Sequence, residues 1–295
     1  MIAISSDSTC DLGALTKERN IGIMPLSVIL DDKVYKDGVD IAPADIFAFV
    51  EKTGMLPKTS APAAEDYREF FSRRLEEADE IVHFSISSKA SVSNSCALAA
   101  AKDFGGRVRV VDSQALSTGQ GLLVMKGADL RDEGKSAAEI EEAVNALRPR
   151  VNTSFVPDRL DYLYKGGRCS KLAMYGANIL HIHPMIDMKE GQLGVKKKYR
   201  GKMTMCIRSY IEELKREISG LRQDPLFCHP FERGCRTRGA RQRHGGLPFR
   251  FRPGDRNGGG VGDHGTLRQK YAGRTVHPRL NFLKNYFANG SFSHP

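Results

Sequence analysis

Side chains able to hold a small anion gather in three stretches of the 295-residue chain. "SDSTCDL" (6–12) puts Asp7, Ser8 and Thr9 at the end of an apolar strand and ahead of a helix. There such groups most often cap free helix N–H groups, so capping is the favoured expectation over ligand contact. "LPKTSAP" (56–62) sets Thr59 and Ser60 between Pro57 and Pro62, whose fixed φ angles stiffen a turn and hold two hydroxyls still. "SISSKASVSNS" (85–95) carries Ser85, Ser87, Ser88, Ser91, Ser93 and Ser95 at a strand-to-helix junction, where hydroxyls and helix N–H groups together suit an anion.

Other chemistries lose their usual signatures. "KGGR" (165–168) has neither P-loop nor dinucleotide spacing, and no Gly-x-Ser-x-Gly occurs, which argues against nucleotide hydrolysis and serine-hydrolase chemistry. Gly166 and Gly167 are most simply a helix stop. His181 and His183 in "HIHP" share a strand face, but no third ligand accompanies them at a suitable spacing, so no metal is expected. The six cysteines are scattered without paired spacing and suit small buried thiols better than a zinc module or disulfide framework.

The elements that must position these hydroxyls follow from periodicity. "IAISSDS", "IGIMPLSVIL" (21–30), "EIVHFSIS" and "RVRVVDS" are predicted strands, separated by helical stretches such as "PADIFAFVEKTG" and "AEDYREFFSRRLEEAD". The alternation predicts an α/β fold with a mostly parallel, helix-covered sheet in residues 1–150. Ligand loops of such sheets gather at the strands' C-terminal ends, where the Ser and Asp residues lie. After a connecting helix at 135–151, residues 151–221 are predicted as a smaller α+β unit of helix, Gly-Gly turn, helix and hairpin, ending in "CIRSYIEELKREISGL". The N-terminus has no basic segment leading into an apolar run, and no apolar stretch approaches membrane-span length. A cytoplasmic protein without stable membrane insertion is expected.

Charge separates the last part of the chain from the rest. Of 45 Lys and Arg and 35 Asp and Glu, 14 basic and 4 acidic residues lie beyond residue 221, so the whole +10 belongs to residues 222–295. That tail has no Ile, two Val, 12 Gly and 6 Pro, so the core-forming pattern stops. Two rival readings rest on these features: nucleic-acid binding by the Arg/Gly-rich tail, and a small-molecule enzyme working through the serine cluster. The tail's aromatics show no repeated stacking module, and no nucleic-acid partner is expected.

Taken in order, "SDSTCDL", "MPLSVILDDKVYKDGVDI", "PKTSAP", "SISSKASVSNSCALAA", "VVDSQALSTGQG", "LDYLYKGGRCS", "LHIHPMI" and "KKKYRG" resemble the motif series of the DegV family of bacterial fatty-acid-binding proteins, over residues 1 to about 221. The resemblance implies a two-domain α/β carrier, not a catalyst, with no cofactor. A long-chain fatty acid would be buried between the domains and its carboxylate presented to a fatty acid kinase catalytic subunit. Thr59 and Ser91 match the family's carboxylate-binding hydroxyls, with Ser60, Ser87 and Ser88 supporting them, and Arg200 resembles a residue through which the family meets its kinase. The chain departs from the family at Ala90, Val92, Ser93 and Asn94, where Leu, Gly, Thr and Tyr are usual, and in "LHIHP" where "LNIKP" is usual.

The family's C-terminal Gly-x-Val-Ile strand and His-x-Gly are absent as well, and the tail's composition suggests why. From about residue 222 to 226 onward the chain has the character of an out-of-frame translation. With the frame moved one base forward, codons for 226–232 permit "FFVTHS". Those for 260–265 permit "GSVIT", and those for 265–280 permit "AHCGKNTLGVLFIRA" before a possible stop. Sequencing the gene around codons 218–228 tests this: the shifted frame is expected to run open to that stop and encode His-Cys-Gly, and an earlier stop would overturn it.

Overall fold

A computed structural model describes residues 1–157, 163 and 182–219. "KGGR", His181, Cys169, Cys228, Cys235 and the tail beyond 219 lie outside the described residues. The elements run β1 (Ile2–Asp7), α1 (Leu15–Glu18), β2 (Ile21–Met24), β3 (Ser27–Leu30), β4 (Lys33–Lys36), α2 (Pro43–Thr53), β5 (Lys58–Ser60) and α3 (Ala64–Leu75). They continue with β6 (Glu80–Ser85), α4 (Ser93–Ala101), β7 (Val108–Asp112), α5 (Ser117–Asp132), α6 (Ala137–Leu147), β8 (Ser154–Phe155), β9 (Ile182–Lys189), β10 (Gln192–Arg200) and a last helix, α7 (Met203–Ser219).

Four strands form a parallel sheet in the order β2–β1–β6–β7. Its strands are apolar on both faces because both are covered. Ile4, Val82, Phe84 and Val111 pack against Leu123, Val124, Ile140 and Val144 of α5 and α6. Ala3, Ile81 and Val108 face the other way, onto Tyr67 and Phe71 of α3 and Ala97 and Ala100 of α4. The alternation of Ile81 with Val82 is the period-2 pleat of a strand buried on both sides. α6 begins where Ser136 accepts from the backbone N–H of Glu139 while the Glu139 carboxylate accepts from that of Ser136.

The predicted strand at 21–30 is two strands in two sheets. β2 joins the parallel sheet, whereas β3 is the middle of an antiparallel sheet, β4–β3–β5. Pro25 lies between them and has no N–H with which to continue the ladder. The Leu26 N–H donates instead to Ser8 Oγ (3.2 Å) and its carbonyl accepts from Asp37 N–H. "LPKTSAP" is likewise more than a turn: Thr59 sits in β5, opposite Val28. α2 covers this sheet through Ile46, packed with Val28, Leu30 and Ile41.

β8, β9 and β10 form a third, antiparallel sheet, with α7 packed on it around Val156, Met185, Tyr199 and Cys206. A separate cluster of Ile86, Leu116, Leu163 and Ile186 joins this part of the chain to the parallel sheet's ligand-side loops. No helix among the described residues is long and apolar enough to cross a membrane.

Candidate functional site

Thr59 is 4% exposed, and its Oγ1 is buried with no hydrogen-bond partner among the described residues. Leaving a buried hydroxyl unpaired costs about 1–3 kcal/mol, so such a group calls for an acceptor beyond these residues, which a ligand can supply. Ser60, beside it, is half-buried. Leu56, three residues before Thr59, packs on the cluster formed by Ile86, Leu116, Leu163 and Ile186. Ile86 is also the residue before Ser87, so β5 and the serine loop border the same apolar cluster.

The six serines do different things. Ser87 Oγ donates to the carbonyl of Gly191 (2.7 Å), at the turn between β9 and β10. Ser88 Oγ donates to Asp112 Oδ2 (2.6 Å), and Ser88 N–H to Oδ1, which fastens the exposed side of the loop to the end of β7. Ser85 Oγ accepts from the Asn94 amide (2.8 Å), so the unusual Asn94 ties α4 to the end of β6. Ser95 Oγ donates to Val92 O. Ser91 is 5% exposed; its Oγ accepts from Ser93 N–H (3.1 Å) and lies 2.8 Å from Ser93 Oγ. Ser91 can donate to an outside acceptor when Ser93 donates to it, which makes Ser93 the residue that orients the Ser91 hydroxyl.

Beneath this loop, Asp7 does not cap the short helical turn that follows it. The expected cap is instead a buried crosslink. With 0% exposure, Asp7 accepts through Oδ2 from Ile86 N–H (2.9 Å) and through Oδ1 from Tyr67 O–H (2.6 Å), while His83 Nε2 stands 3.2 Å from Oδ1. Ser5 Oγ lies 3.0 Å from His83 Nδ1. With His83 Nε2–H donating to Asp7, Nδ1 can accept from the Ser5 hydroxyl, and both contacts are satisfied. The Tyr67 hydroxyl pKa is held well above its ordinary value by burial first and then by the Asp7 carboxylate. Ser5, His83 and Asp7 have the residue types of a nucleophile–base–acid relay, but all three are 0% exposed. Their geometry is that of a strut under the loop, and it does not support the enzyme reading.

A second orphan hydroxyl, Thr153 Oγ1, gives no signal in the sequence. It is buried without a partner among the described residues and lies against Gly119 in the first turn of α5, where a side chain would collide with it. Arg200 is exposed at the end of β10. His183 pairs with Tyr199 across the hairpin, and no cluster of three or more metal-ligating side chains occurs among the described residues. Burial raises the Cys10 thiol pKa to about 12, so it behaves as the inert core thiol expected of it.

Residues 1–234 match the family model described as uncharacterised protein, DegV family. A DegV domain-containing protein of Caldanaerobacter subterraneus subsp. tengcongensis is 35% identical over 217 residues, spanning 72% of this chain and 76% of its own. Among solved structures, a DegV family protein from Thermus thermophilus, described as binding fatty acid, is 33% identical with a TM-score of 0.67, covering 73% of this chain and 77% of that one. A fatty acid (stearic acid)-binding protein from Eubacterium ventriosum is 29% identical with a TM-score of 0.64, over 74% and 79% of the two chains.

The strut generates its own test. In Asp7→Asn one carboxylate oxygen becomes an NH2 group facing a donor, either Ile86 N–H or the Tyr67 and His83 pair. Each donor orphaned in this way is expected to lower stability by about 1–3 kcal/mol. A urea-unfolding midpoint unchanged from wild type, or unchanged amide exchange at Ile86, would remove Asp7 from this role.

Proposed function

The chain belongs to the DegV family, and from that premise we propose that it is a cytoplasmic carrier of a long-chain fatty acid, which it presents to a separate fatty acid kinase catalytic subunit. The observation that carries the reading is the buried Thr59 hydroxyl, unpartnered among the described residues, on a segment that borders the same apolar cluster as the serine loop. The solved relatives named above as fatty-acid-binding support it. Residues 1–150 would supply the hydroxyls and residues 151–221 the cover. Residues 222–295, if out of frame, would contribute no selected partner surface, and the chain would lack the histidine that the family brings to the carboxylate.

A hydrocarbon tail gains about 0.8 kcal/mol per buried methylene, so a dozen methylenes supply on the order of 10 kcal/mol of gross driving force without a covalent bond. A carboxylate drawn in with that tail must be hydrogen-bonded. On this reading Thr59 Oγ1 and Ser91 Oγ donate to it. Ser60, Ser87 and Ser88 support them, the last two by fixing the loop to Gly191 and Asp112. Ser91 turns its proton from Ser93 toward the ligand as the carboxylate arrives. No residue is asked to make or break a bond, and the kinase subunit would supply the phosphoryl chemistry.

Protein recovered from bacteria and extracted with organic solvent is expected to release a long-chain fatty acid by mass spectrometry. Thr59→Ala combined with Ser91→Ala is expected to weaken retention, each lost hydrogen bond to the charged carboxylate costing about 1.5–3 kcal/mol. Folded protein that neither carries nor takes up fatty acid would overturn the carrier reading.

Arg200 enters as a contact for the kinase subunit, its exposed position on β10 being suited to a partner's rim. Rim charges act mainly on encounter and orientation, so Arg200→Glu is expected to lower coupling to the kinase while leaving fatty-acid affinity nearly unchanged. Equal loss of both would assign Arg200 to the fold or the pocket.

A further inference from the structure

The turn between β9 and β10 is seated on the serine loop, 104 residues away in sequence. Its two central residues, Glu190 and Gly191, have φ of 51° and 81°, as a two-residue hairpin turn of the right-handed twist requires. Glu190 is exposed and Gly191 is buried, so one side of the turn faces solvent and the other faces the loop. A Cβ added at Gly191 would stand 2.6 Å from Ser87 Oγ and 3.5 Å from Gln114 Cβ. Gly191 therefore meets two demands at once, the left-handed backbone and the closeness of the Ser87 hydroxyl.

The same contact lies at the edge of an apolar seam. Ile86, next to Ser87, and Leu116, next but one to Gln114, pack with Ile186 of β9, and Met188 and Leu193 on either side of the turn pack on that cluster. Ser87 N–H donates to Ala115 O (3.0 Å), so the loop that holds the hairpin is tied to the start of α5. A hairpin detached at its tip would uncover the cluster from that end.

We infer that Ser87 and Gly191 are a positioning pair that clamps the β9–β10 hairpin over the apolar cluster and sets how fast a long-chain ligand leaves. The release step rests on the fatty-acid reading above; the clamp itself does not. The pair acts on closure directly and on the carboxylate only through the loop that carries Ser91, so its effect on release is expected with an ester as well as an acid. Ser87→Ala removes the bond to Gly191 together with the one that Ser87 Oγ accepts from Lys89 N–H (3.3 Å), and Gly191→Ala drives a methyl group toward the Ser87 hydroxyl. In the Ser87→Ala background that collision is relieved, so the two changes together are expected to cost less than their separate effects combined.

The full chain is loaded with palmitic acid or, separately, its methyl ester, and release to phosphatidylcholine vesicles is timed. Hydrogen exchange at residues 189–192 is followed on ligand-free protein. Ser87→Ala is expected to speed both release and exchange about threefold to tenfold, the range of one neutral hydrogen bond, and to do so for the ester as well as the acid. Thr59→Ala is expected to act on the acid alone. Exchange at 189–192 unchanged in both Ser87→Ala and Gly191→Ala overturns the clamp whether or not palmitate binds. Faster exchange with unchanged release, or an effect confined to the acid, overturns its control of departure. Wild type that retains neither compound while Ser87→Ala still loosens 189–192 overturns the fatty-acid reading and supports the clamp.

Discussion

A single buried carboxylate holds the loops at the end of the parallel sheet in register. Asp7 ends β1, and its two oxygens reach the backbone after β6, the Tyr67 hydroxyl of α3 and the His83 imidazole of β6. An unpaired carboxylate at that depth would be untenable, so its partners must be in place whenever the sheet is formed. The serine loop begins two residues beyond the Asp7-bound Ile86 N–H with Ser88, which is in turn held by Asp112 at the end of β7. The two strands that flank β6 thus each lend a carboxylate to the same loop, which leaves its hydroxyls little freedom to wander.

That rigidity on one side makes the other side informative. The hairpin of β9 and β10 is built on its own small core with α7, and meets the serine loop through one hydroxyl-to-carbonyl bond and an apolar cluster. A neutral hydrogen bond contributes about 0.5–1.5 kcal/mol net, far below the cost of disrupting the strut beneath. Breaking that bond is therefore cheaper than breaking the strut, and on the proposed reading a carrier would take up and surrender its tail at this seam.

Much of the fold was legible because the parallel sheet, its helices and the hairpin follow simple periodicities. α2 starts at Pro43 and stops at Gly54, and α6 carries a capping box at Ser136 and Glu139, all signals visible in the chain. The misreadings share a cause. Residues 21–30 look like one strand by hydrophobicity, and only Pro25 hints at two; Asp7 looks like a cap because its three partners lie 60 to 79 residues away. Long-range pairing leaves no local trace. The serine cluster announced a site by its composition, but which serine faces inward depends on Gly191, Asp112 and Asn94, and Thr153 had no motif to mark it.

The proposed carboxylate contacts are hydroxyls, and this choice fits a carrier better than a charged site would. A hydroxyl gives a carboxylate one charge-assisted hydrogen bond, whereas a guanidinium fork adds a second, parallel bond and a full opposite charge. On the proposed reading, with about 0.8 kcal/mol from each buried methylene, the tail would dominate affinity, and Thr59 and Ser91 would fix which end of the ligand points outward. A cation in their place would bind the head group more tightly and hold it back from any partner that needs the same oxygens. Orientation by hydroxyls and retention by hydrocarbon would let the two tasks be tuned separately, the first at the serine loop and the second along the seam proposed to be closed by Ser87 and Gly191.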